Sequence, residues 1–227
     1  MQDDLKIAVI LVAGGIGSRM RSIIPKQYLH IEGRPIVDYS FALFASMPEI
    51  SEIVVVCAKE YRSYFQHAND KIMLTFAEPG LRRQDSVYNG LQALQREASL
   101  ICVHDAVRPC ITVELVRRVI QAAAEYGAAT AAMPLKFTLK QADEKGFVQR
   151  TLDRSLLWEI QTPQVMKKAL FEKGFEKANE AQITVTDDVL LIELLGHPVK
   201  LVEGSYNNVK VTTPEDLFMC ERVLGGV

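Results

Sequence analysis

A glycine-rich loop follows the first apolar run of the chain and contains the first residues that could do chemistry. The run Ile7–Val12 leads into Ala13-Gly14-Gly15-Ile16-Gly17-Ser18-Arg19, and Lys26 follows in Pro25-Lys26-Gln27. Glycines after a strand allow backbone N–H groups to approach phosphate oxygens. Arg binds two such oxygens as a fork and Lys binds them as a point charge. The pattern predicts a phosphate-binding loop in which Arg19 and Lys26 contact the ligand.

Two better-known glycine loops fit this sequence less well. The P-loop pattern G-x-x-x-x-G-K-[ST] does not occur in the chain. The dinucleotide pattern G-x-G-x-x-G matches at Gly15 and Gly17, but Met20 stands where the third glycine belongs. Hydride transfer with a nicotinamide cofactor therefore rests on two glycines alone. A purely structural turn would not explain two cations in one loop.

Composition limits the partners of this loop. The chain has 227 residues, 48% hydrophobic and 24% charged, with a formal net charge of −2. This length suits a single domain spanning 1–227, and this charge gives no general attraction to nucleic acid or to an anionic membrane. Any anion site must be built from a few well-placed cations.

The cysteines Cys57, Cys102, Cys110 and Cys220 form no CxxC pair and are expected to be reduced and buried. We see no signal peptide or membrane span, so we expect a cytoplasmic protein.

Short apolar runs that alternate with helix-like segments indicate the elements that position these residues. Such alternation predicts an α/β fold, a Rossmann-like three-layer sandwich around a mostly parallel sheet. Because ligands bind beyond the carboxyl ends of the strands in such sheets, the loops 14–26, 79–86 and 104–109 should form the site. The predicted strands are Ile7–Val12, Ile53–Cys57, Ile72–Phe76, Leu100–Val103 and Ala128–Met133; the predicted helices are Ser86–Arg96, a segment between Thr112 and Gly127, Lys167–Asn179, Asp187–Leu195, and one that starts at Thr213-Pro214.

The alternation breaks after Pro134, where a β-hairpin is predicted. Phe137–Lys140 and Phe147–Arg150 flank a polar, turn-prone link. An isolated hairpin is marginal in water, so this one should pack on another surface, most economically on a second subunit. We therefore expect residues 136–157 to form a dimerisation arm within the domain.

The loop and the segments that follow it resemble a known enzyme family. Val12–Met20 with Pro25-Lys26-Gln27 is similar to the signature of sugar-phosphate nucleotidyltransferases. Six further segments, in this order, resemble the methylerythritol phosphate cytidylyltransferase family: Arg83-Gln84-Asp85-Ser86-Val87, His104-Asp105-Ala106-Val107-Arg108-Pro109, Leu152-Asp153-Arg154, Gln161-Thr162-Pro163-Gln164, Thr186-Asp187-Asp188 and Val209–Asp216. The resemblance implies that CTP and 2-C-methyl-D-erythritol 4-phosphate react to give a CDP-alcohol and pyrophosphate, with Mg²⁺, in a homodimer.

The resemblance also implies roles for individual residues on the nucleotide side. Arg19 and Lys26 would bind the triphosphate and stabilise the transition state, and Asp105 would hold Mg²⁺. The nucleotide would further contact the backbone or side chains of Ala13, Gly14, Gly15, Gly17, Gly80, Asp85 and Ser86. From the residues alone, Asp85 and Ser86 could simply cap a helix, and Asp105 could be a capping or ion-paired residue.

On the acceptor side, the resemblance assigns six residues. Arg154 and Lys210 would position the acceptor for attack, and Arg154 with Thr138 would reach it from the partner's arm. The acceptor-binding set is Arg108, Thr138, Arg154, Thr186, Asp187 and Lys210. Thr186 and Asp187 could equally cap the helix that follows, and Lys210 could be an ordinary strand-edge charge.

One departure concerns the acceptor. Many family members have Ala-Ala-Gly where this chain reads Ala13-Gly14-Gly15. The Ala-Gly-Gly form is shared with ribitol phosphate cytidylyltransferases, which leaves ribitol 5-phosphate as the alternative acceptor. A nucleotide sensor without enzymatic activity is a third reading, which Lys26 and Lys210 disfavour.

Overall fold

Seven of the eleven strands form one central sheet. The computed structural model describes residues 5–15, 20, 24–65 and 72–226. The strands are β1 (Ile7–Val12), β2 (His30–Ile31), β3 (Arg34–Pro35), β4 (Ile50–Val56), β5 (Met73–Ala77), β6 (Leu100–Asp105), β7 (Ala128–Pro134), β8 (Lys140–Ala142), β9 (Val148–Thr151), β10 (Trp158–Lys167) and β11 (Lys200–Glu203); the α-helices are α1 (Ile36–Ser46), α2 (Arg83–Gln92), α3 (Val113–Tyr126), α4 (Lys168–Glu180), α5 (Leu190–Glu193) and α6 (Pro214–Leu224).

The sheet has the order β11-β7-β10-β6-β1-β4-β5. All its pairings are parallel except those of β10, which runs antiparallel to both β6 and β7. Alternate residues of β1 face opposite sides: Val9 packs with residues of α1 and α3, whereas Ile10 packs with residues of α2, α4 and α5. The sheet is thus covered by helices on both faces, and the predicted α/β three-layer fold is confirmed.

The helix ends show which sequence signals were reliable. The side chain of Thr112 caps α3 by accepting a bond from Leu115 N, and Gly127 ends that helix with φ 93°. Helix α6 begins with the expected capping box of Thr213 and Asp216. The prediction that α2 starts at Ser86 is wrong. The helix starts three residues earlier, at Arg83, and Arg82 is its N-cap residue.

Strand β10 was not predicted from the sequence. Its register is interrupted between Ile160 and Gln164, around a cis peptide bond between Thr162 and Pro163. Proline within a run argues against a central strand, since it cannot donate to the ladder. The irregular register lets the strand keep its place between β6 and β7 despite the proline.

The hairpin β8–β9 pairs antiparallel and forms a sheet of its own. Phe137, Phe147 and Val148 expose 74%, 70% and 62% of their surface, which is unusual for large apolar side chains. That this hairpin is a dimerisation arm stays a prediction. Among the described residues, no helix has the length and apolar character needed to cross a membrane.

Candidate active site

The carboxyl ends of β1, β5 and β6 open onto a cavity of about 710 Å³. Each of the three loops expected there supplies lining residues. The predicted site residues that line it are Ala13, Gly14, Gly15, Lys26, Gly80, Ser86, Asp105 and Lys210. Gly17 and Arg19 lie outside the described residues.

Hydrogen bonds to the carbonyl groups of the glycine loop hold the loop in position. Gln27 Nε2 donates to the carbonyl oxygens of Ala13 and Gly15, at 2.5 and 2.9 Å. Tyr28 lies behind it, stacked on Tyr61 with ring centroids 4.1 Å apart. Gln27 was missed as a site residue, although it belongs to the quoted segment Pro25-Lys26-Gln27. By holding two loop carbonyls on the protein side, it fixes the loop that lines the cavity.

The second loop places Gly80 against Ser86. Ser86 Oγ accepts from Gly80 N at 2.9 Å and donates to the carbonyl oxygen of Arg82 at 3.2 Å. Ser86 therefore fastens the loop from within α2 and does not cap the helix. Asp85 does not line the cavity, because its carboxylate pairs with Arg82 at 2.7 Å. This hydrogen bond lowers the pKa of Asp85. Its role in nucleotide binding stays a prediction.

Asp105 is the last residue of β6 and the centre of a cluster of cations. Lys210 Nζ lies 2.7 Å from its Oδ2, Arg83 Nε 3.0 Å from its Oδ1, and Arg108 Nε 3.7 Å from its Oδ2. Burial opposes ionisation of this carboxyl group, but Arg83, Lys210 and Arg108 outweigh it and hold the pKa of Asp105 well below its usual range. Asp105 is thus an ion-paired residue in the structure, which is one of the two alternatives to a metal ligand that the sequence left open.

A second cavity of about 240 Å³ lies on the other side of this cluster. It is lined by Arg108, Thr186 and Asp187, and it shares Asp105 and Lys210 with the larger cavity. Asp187 Oδ1 also accepts from Leu190 N at 3.0 Å, so it caps the start of α5 as well. Burial raises the pKa of Asp187.

Arg108 has an unused donor in this region. Its Nη1 donates to the carbonyl oxygen of Asn208 at 2.7 Å. Its Nε is buried and has no hydrogen-bond partner within the described ranges. The charge of Arg108 is balanced by Asp105, whose Oδ2 lies 3.7 Å from Nε, and the residue lines the smaller cavity.

Thr162, a buried residue that was not predicted to belong to the site, forms hydrogen bonds that position the backbone of the site. The hydroxyl of Thr162 accepts from Asp105 N at 3.2 Å and lies 3.0 Å from His104 Nδ1. Asn208 Nδ2 donates to the carbonyl oxygen of Thr162 at 2.8 Å. Through these contacts, the segment around Pro163 joins the segments that carry Asp105 and Lys210.

The two predicted arm residues lie apart from both cavities. Thr138 and Arg154 are exposed, and Arg154 Nη1 donates to the carbonyl oxygen of Lys136. Neither lines a cavity of its own chain.

Comparisons with known proteins agree on one family. Residues 7–226 match the family model described as 2-C-methyl-D-erythritol 4-phosphate cytidylyltransferase. The chain is 47% identical over 220 residues to the chloroplastic enzyme of that name from Oryza sativa subsp. japonica, covering 96% of this chain and 74% of the relative. It is 41% identical over 224 residues to that of Pelotomaculum thermopropionicum, covering 96% and 94%.

Solved structures agree with the sequence comparisons. The structure of 4-diphosphocytidyl-2C-methyl-D-erythritol synthase from Anaerococcus prevotii has a TM-score of 0.86 and 29% identity, covering 98% of this chain and 100% of that one. The Francisella tularensis 2-C-methyl-D-erythritol 4-phosphate cytidylyltransferase gives 0.81 and 30%, covering 96% and 99%. The resemblance inferred from the sequence motifs is confirmed.

Proposed function

The chain belongs to the 2-C-methyl-D-erythritol 4-phosphate cytidylyltransferase family, and we propose that its two adjoining cavities hold the two substrates of that reaction. The enzyme transfers CMP from CTP to 2-C-methyl-D-erythritol 4-phosphate and releases pyrophosphate. The observation that carries the assignment of the cavities is their shared wall, formed by Arg83, Asp105 and Lys210. Two substrates that fill the two cavities meet at this wall.

CTP occupies the larger cavity. The glycine loop and the loop of Gly80 line this cavity with backbone groups, which suit the binding of a nucleotide. Lys26 lines the same cavity. Lys26 Nζ donates to the carbonyl oxygen of Val211 at 2.6 Å, which places its charge near the segment of Lys210. Arg19 and Lys26 stabilise the transition state. Loss of one such charged donor costs about 3–4 kcal/mol of barrier, judged from oxyanion-hole losses.

The acceptor phosphate occupies the smaller cavity. There Arg108 lines the cavity, its guanidinium 3.7 Å from Asp105, and Lys210 completes a pair of cations. A phosphate monoester is already an anion near neutral pH, so its oxygen attacks the α-phosphorus of CTP without a general base. A new P–O bond forms as the bond to the β-phosphate oxygen breaks. The protein contributes alignment of two polyanions and compensation of their charge.

Mg²⁺ fits this site only together with the triphosphate. In the described part of the chain, no group of three His, Cys, Asp or Glu side chains could hold a metal ion. Mg²⁺ typically uses one or two carboxylates and completes its shell with phosphate oxygens and waters. Asp105, which lines both cavities, fits as that carboxylate. When bound, the ion would neutralise charge on the phosphates as pyrophosphate leaves.

The departure at Gly14 has a steric explanation that does not involve the acceptor. A Cβ built on Gly14 would lie 2.4 Å from Cβ of Pro79. With Pro79 in this position, alanine at position 14 would force the two loops apart, so the contact favours glycine there whichever acceptor the enzyme uses. This contact removes the main argument for ribitol 5-phosphate, which stays the alternative to be tested.

The chain acts as a single domain whose arm, residues 136–157, completes a homodimer. The exposed apolar side chains of Phe137, Phe147 and Val148 support this role, since a monomer gains nothing from exposing them. Arg154 and Thr138 would then reach the acceptor of the partner subunit. A cytoplasmic location stays a prediction, which fractionation of expressing cells would test.

A pyrophosphate-release assay tests the proposal. The enzyme is incubated with CTP and Mg²⁺, and with either methylerythritol phosphate or ribitol 5-phosphate. We expect turnover with the first acceptor. Turnover with ribitol 5-phosphate alone would refute the acceptor assignment, and CTP binding without turnover on either acceptor would indicate a sensor.

A further inference from the structure

Arg83, the first residue of α2, lines both cavities and contacts two carboxylates, Asp105 and the buried Asp188. Its Nη1 and Nη2 donate to Oδ1 and Oδ2 of Asp188 at 2.9 and 2.8 Å. Its Nε donates to Oδ1 of Asp105 at 3.0 Å. One planar guanidinium therefore bridges two carboxylates with three hydrogen bonds, a geometry that Lys cannot reproduce.

Asp188 is held by the sheet. It is buried, with 1% of its surface exposed. Its backbone N donates to Gln164 Oε1 at 2.8 Å, and Val189 N donates to the same oxygen at 3.1 Å. Gln164 is itself buried in β10. The position of Asp188, and through it that of Arg83, is thus set by the central sheet.

The two oxygens of Asp105 have different surroundings. Oδ1 receives the bond from Arg83 Nε, and Nη1 and Nη2 of the same guanidinium bond to Asp188. Oδ2 faces Lys210 and Arg108, the two cations assigned to the acceptor phosphate. Lys210 is half-exposed and on a flexible stem, so it can exchange partners, whereas Arg83 cannot move without breaking three bonds. Arg83 therefore fixes Oδ1 and leaves Oδ2 directed at the substrates.

We infer that Arg83 and Asp188 are positioning residues for cytidylyl transfer: Asp188 holds the guanidinium of Arg83, which orients Asp105 at the junction of the two cavities. The inference rests on the proposed function, because it concerns the alignment of the same two substrates. Asp188 directly follows Thr186 and Asp187, which line the smaller cavity. The bridge thus ties the acceptor-side segment to the carboxylate between the substrates.

Asp188→Asn tests the inference because it keeps the shape of the side chain but removes the charge and one acceptor. We expect kcat with CTP and methylerythritol phosphate to fall by about ten- to a hundred-fold, the scale of a 1 Å misalignment. The Kd for CTP, measured by calorimetry, should stay at the wild-type value. Arg83→Lys should lose kcat similarly, since charge without the fork cannot bridge two carboxylates. Glu49→Gln, which breaks a surface pair with Arg117, is the control and should keep wild-type kcat.

The double variant Arg83→Gln/Asp188→Asn separates this role from independent effects. If Asp188 acts through Arg83, the double variant should be no slower than Arg83→Gln alone. Wild-type kcat in Asp188→Asn, or losses that multiply in the double variant, would overturn the inference. So would a loss explained wholly by a smaller folded fraction, measured by circular dichroism. If Asp188→Asn does not fold, wild-type kcat in Arg83→Lys overturns it and a loss supports it. Failure of the wild-type enzyme on both acceptors would instead refute the proposed function.

Discussion

Substituting Gly14 with alanine should move one wall of the nucleotide cavity. A Cβ on Gly14 would lie 2.4 Å from Cβ and 3.0 Å from Cγ of Pro79. Carbon atoms in favourable contact are roughly 3.5–4.0 Å apart, so the walls must separate by about 1 Å. Overpacking of this kind typically costs about 1–3 kcal/mol. For a chain of this size each kcal/mol lowers Tm by about 2–4 °C.

Thermal unfolding at fixed protein concentration measures this cost, and calorimetry with CTP measures its effect on the cavity. We expect Gly14→Ala to lower Tm and to weaken CTP binding. Only strain that the bound state adds to that of the free protein weakens binding, so about 150-fold, the equivalent of about 3 kcal/mol, is the upper bound. Gly15→Ala is the matched control for stability, because its Cβ would meet no atom of the described residues within 4 Å.

Compensation at Pro79 makes the test specific. Pro79→Gly removes both clashing atoms and should restore Tm and CTP affinity in the double variant, apart from about 0.4–1 kcal/mol for the more flexible unfolded chain. Pro79→Ala keeps the nearest atom, Cβ, and should not restore them. Wild-type stability in Gly14→Ala, or equal rescue by both Pro79 variants, would refute the steric reasoning.

Three further outcomes follow from the site and the core. Arg154→Ala should raise KM for the acceptor and lower kcat while sparing CTP binding; subunit exchange with Lys26→Ala should restore part of the activity, and no recovery would contradict a shared site. Thr162→Val should lower the free energy of unfolding by about 1–3 kcal/mol, because it removes the partner of the buried His104 Nδ1 and of Asp105 N; Thr162→Ser should be milder, and equal losses would contradict this account. Because burial raises the pKa of Cys57 to about 11, only about one such thiol in a thousand is ionised at pH 8; Cys57, followed by peptide mass mapping, should label slowly with iodoacetamide in native protein and quickly in urea, and fast native labelling of Cys57 would refute its burial.

The sequence was most informative where chemistry depends on local order. Ile7–Val12 followed by glycines is a strand that turns at its carboxyl end, and parallel strands bring such ends to one edge of the sheet. For that reason the three loops expected at the site do meet around one cavity. The capping signals at Thr112 and Thr213 were equally local, and both were correct.

The sequence pattern did not predict contacts between segments that lie far apart in the chain. Arg83 and Asp188 stand in two quoted motifs, but nothing in either motif shows that one binds the other across 105 positions. The segment of Thr162 was not predicted to be a strand, and Pro163 argues against one. Only the register of β10 shows that its hydroxyl meets Asp105 N. The alternative that Ser86 caps the helix was wrong for a related reason: a serine before a helix-like run signals a cap, but it does not show where the helix begins.

The placement of Asp105 also explains how a chain of net charge −2 builds a site for two polyanions. Arg83, Arg108 and Lys210 converge at this one point, and three cations so close together would repel one another without an anion between them. Asp105 supplies that anion within 2.7 to 3.7 Å of all three. Its first role is therefore to assemble the cations, and this role does not depend on any metal. Once substrate phosphates enter, they can take over Lys210 and Arg108, while Arg83 keeps the carboxylate in place. Asp105, proposed above as a carboxylate for Mg²⁺, is thus also the counter-ion around which Arg83, Arg108 and Lys210 are arranged.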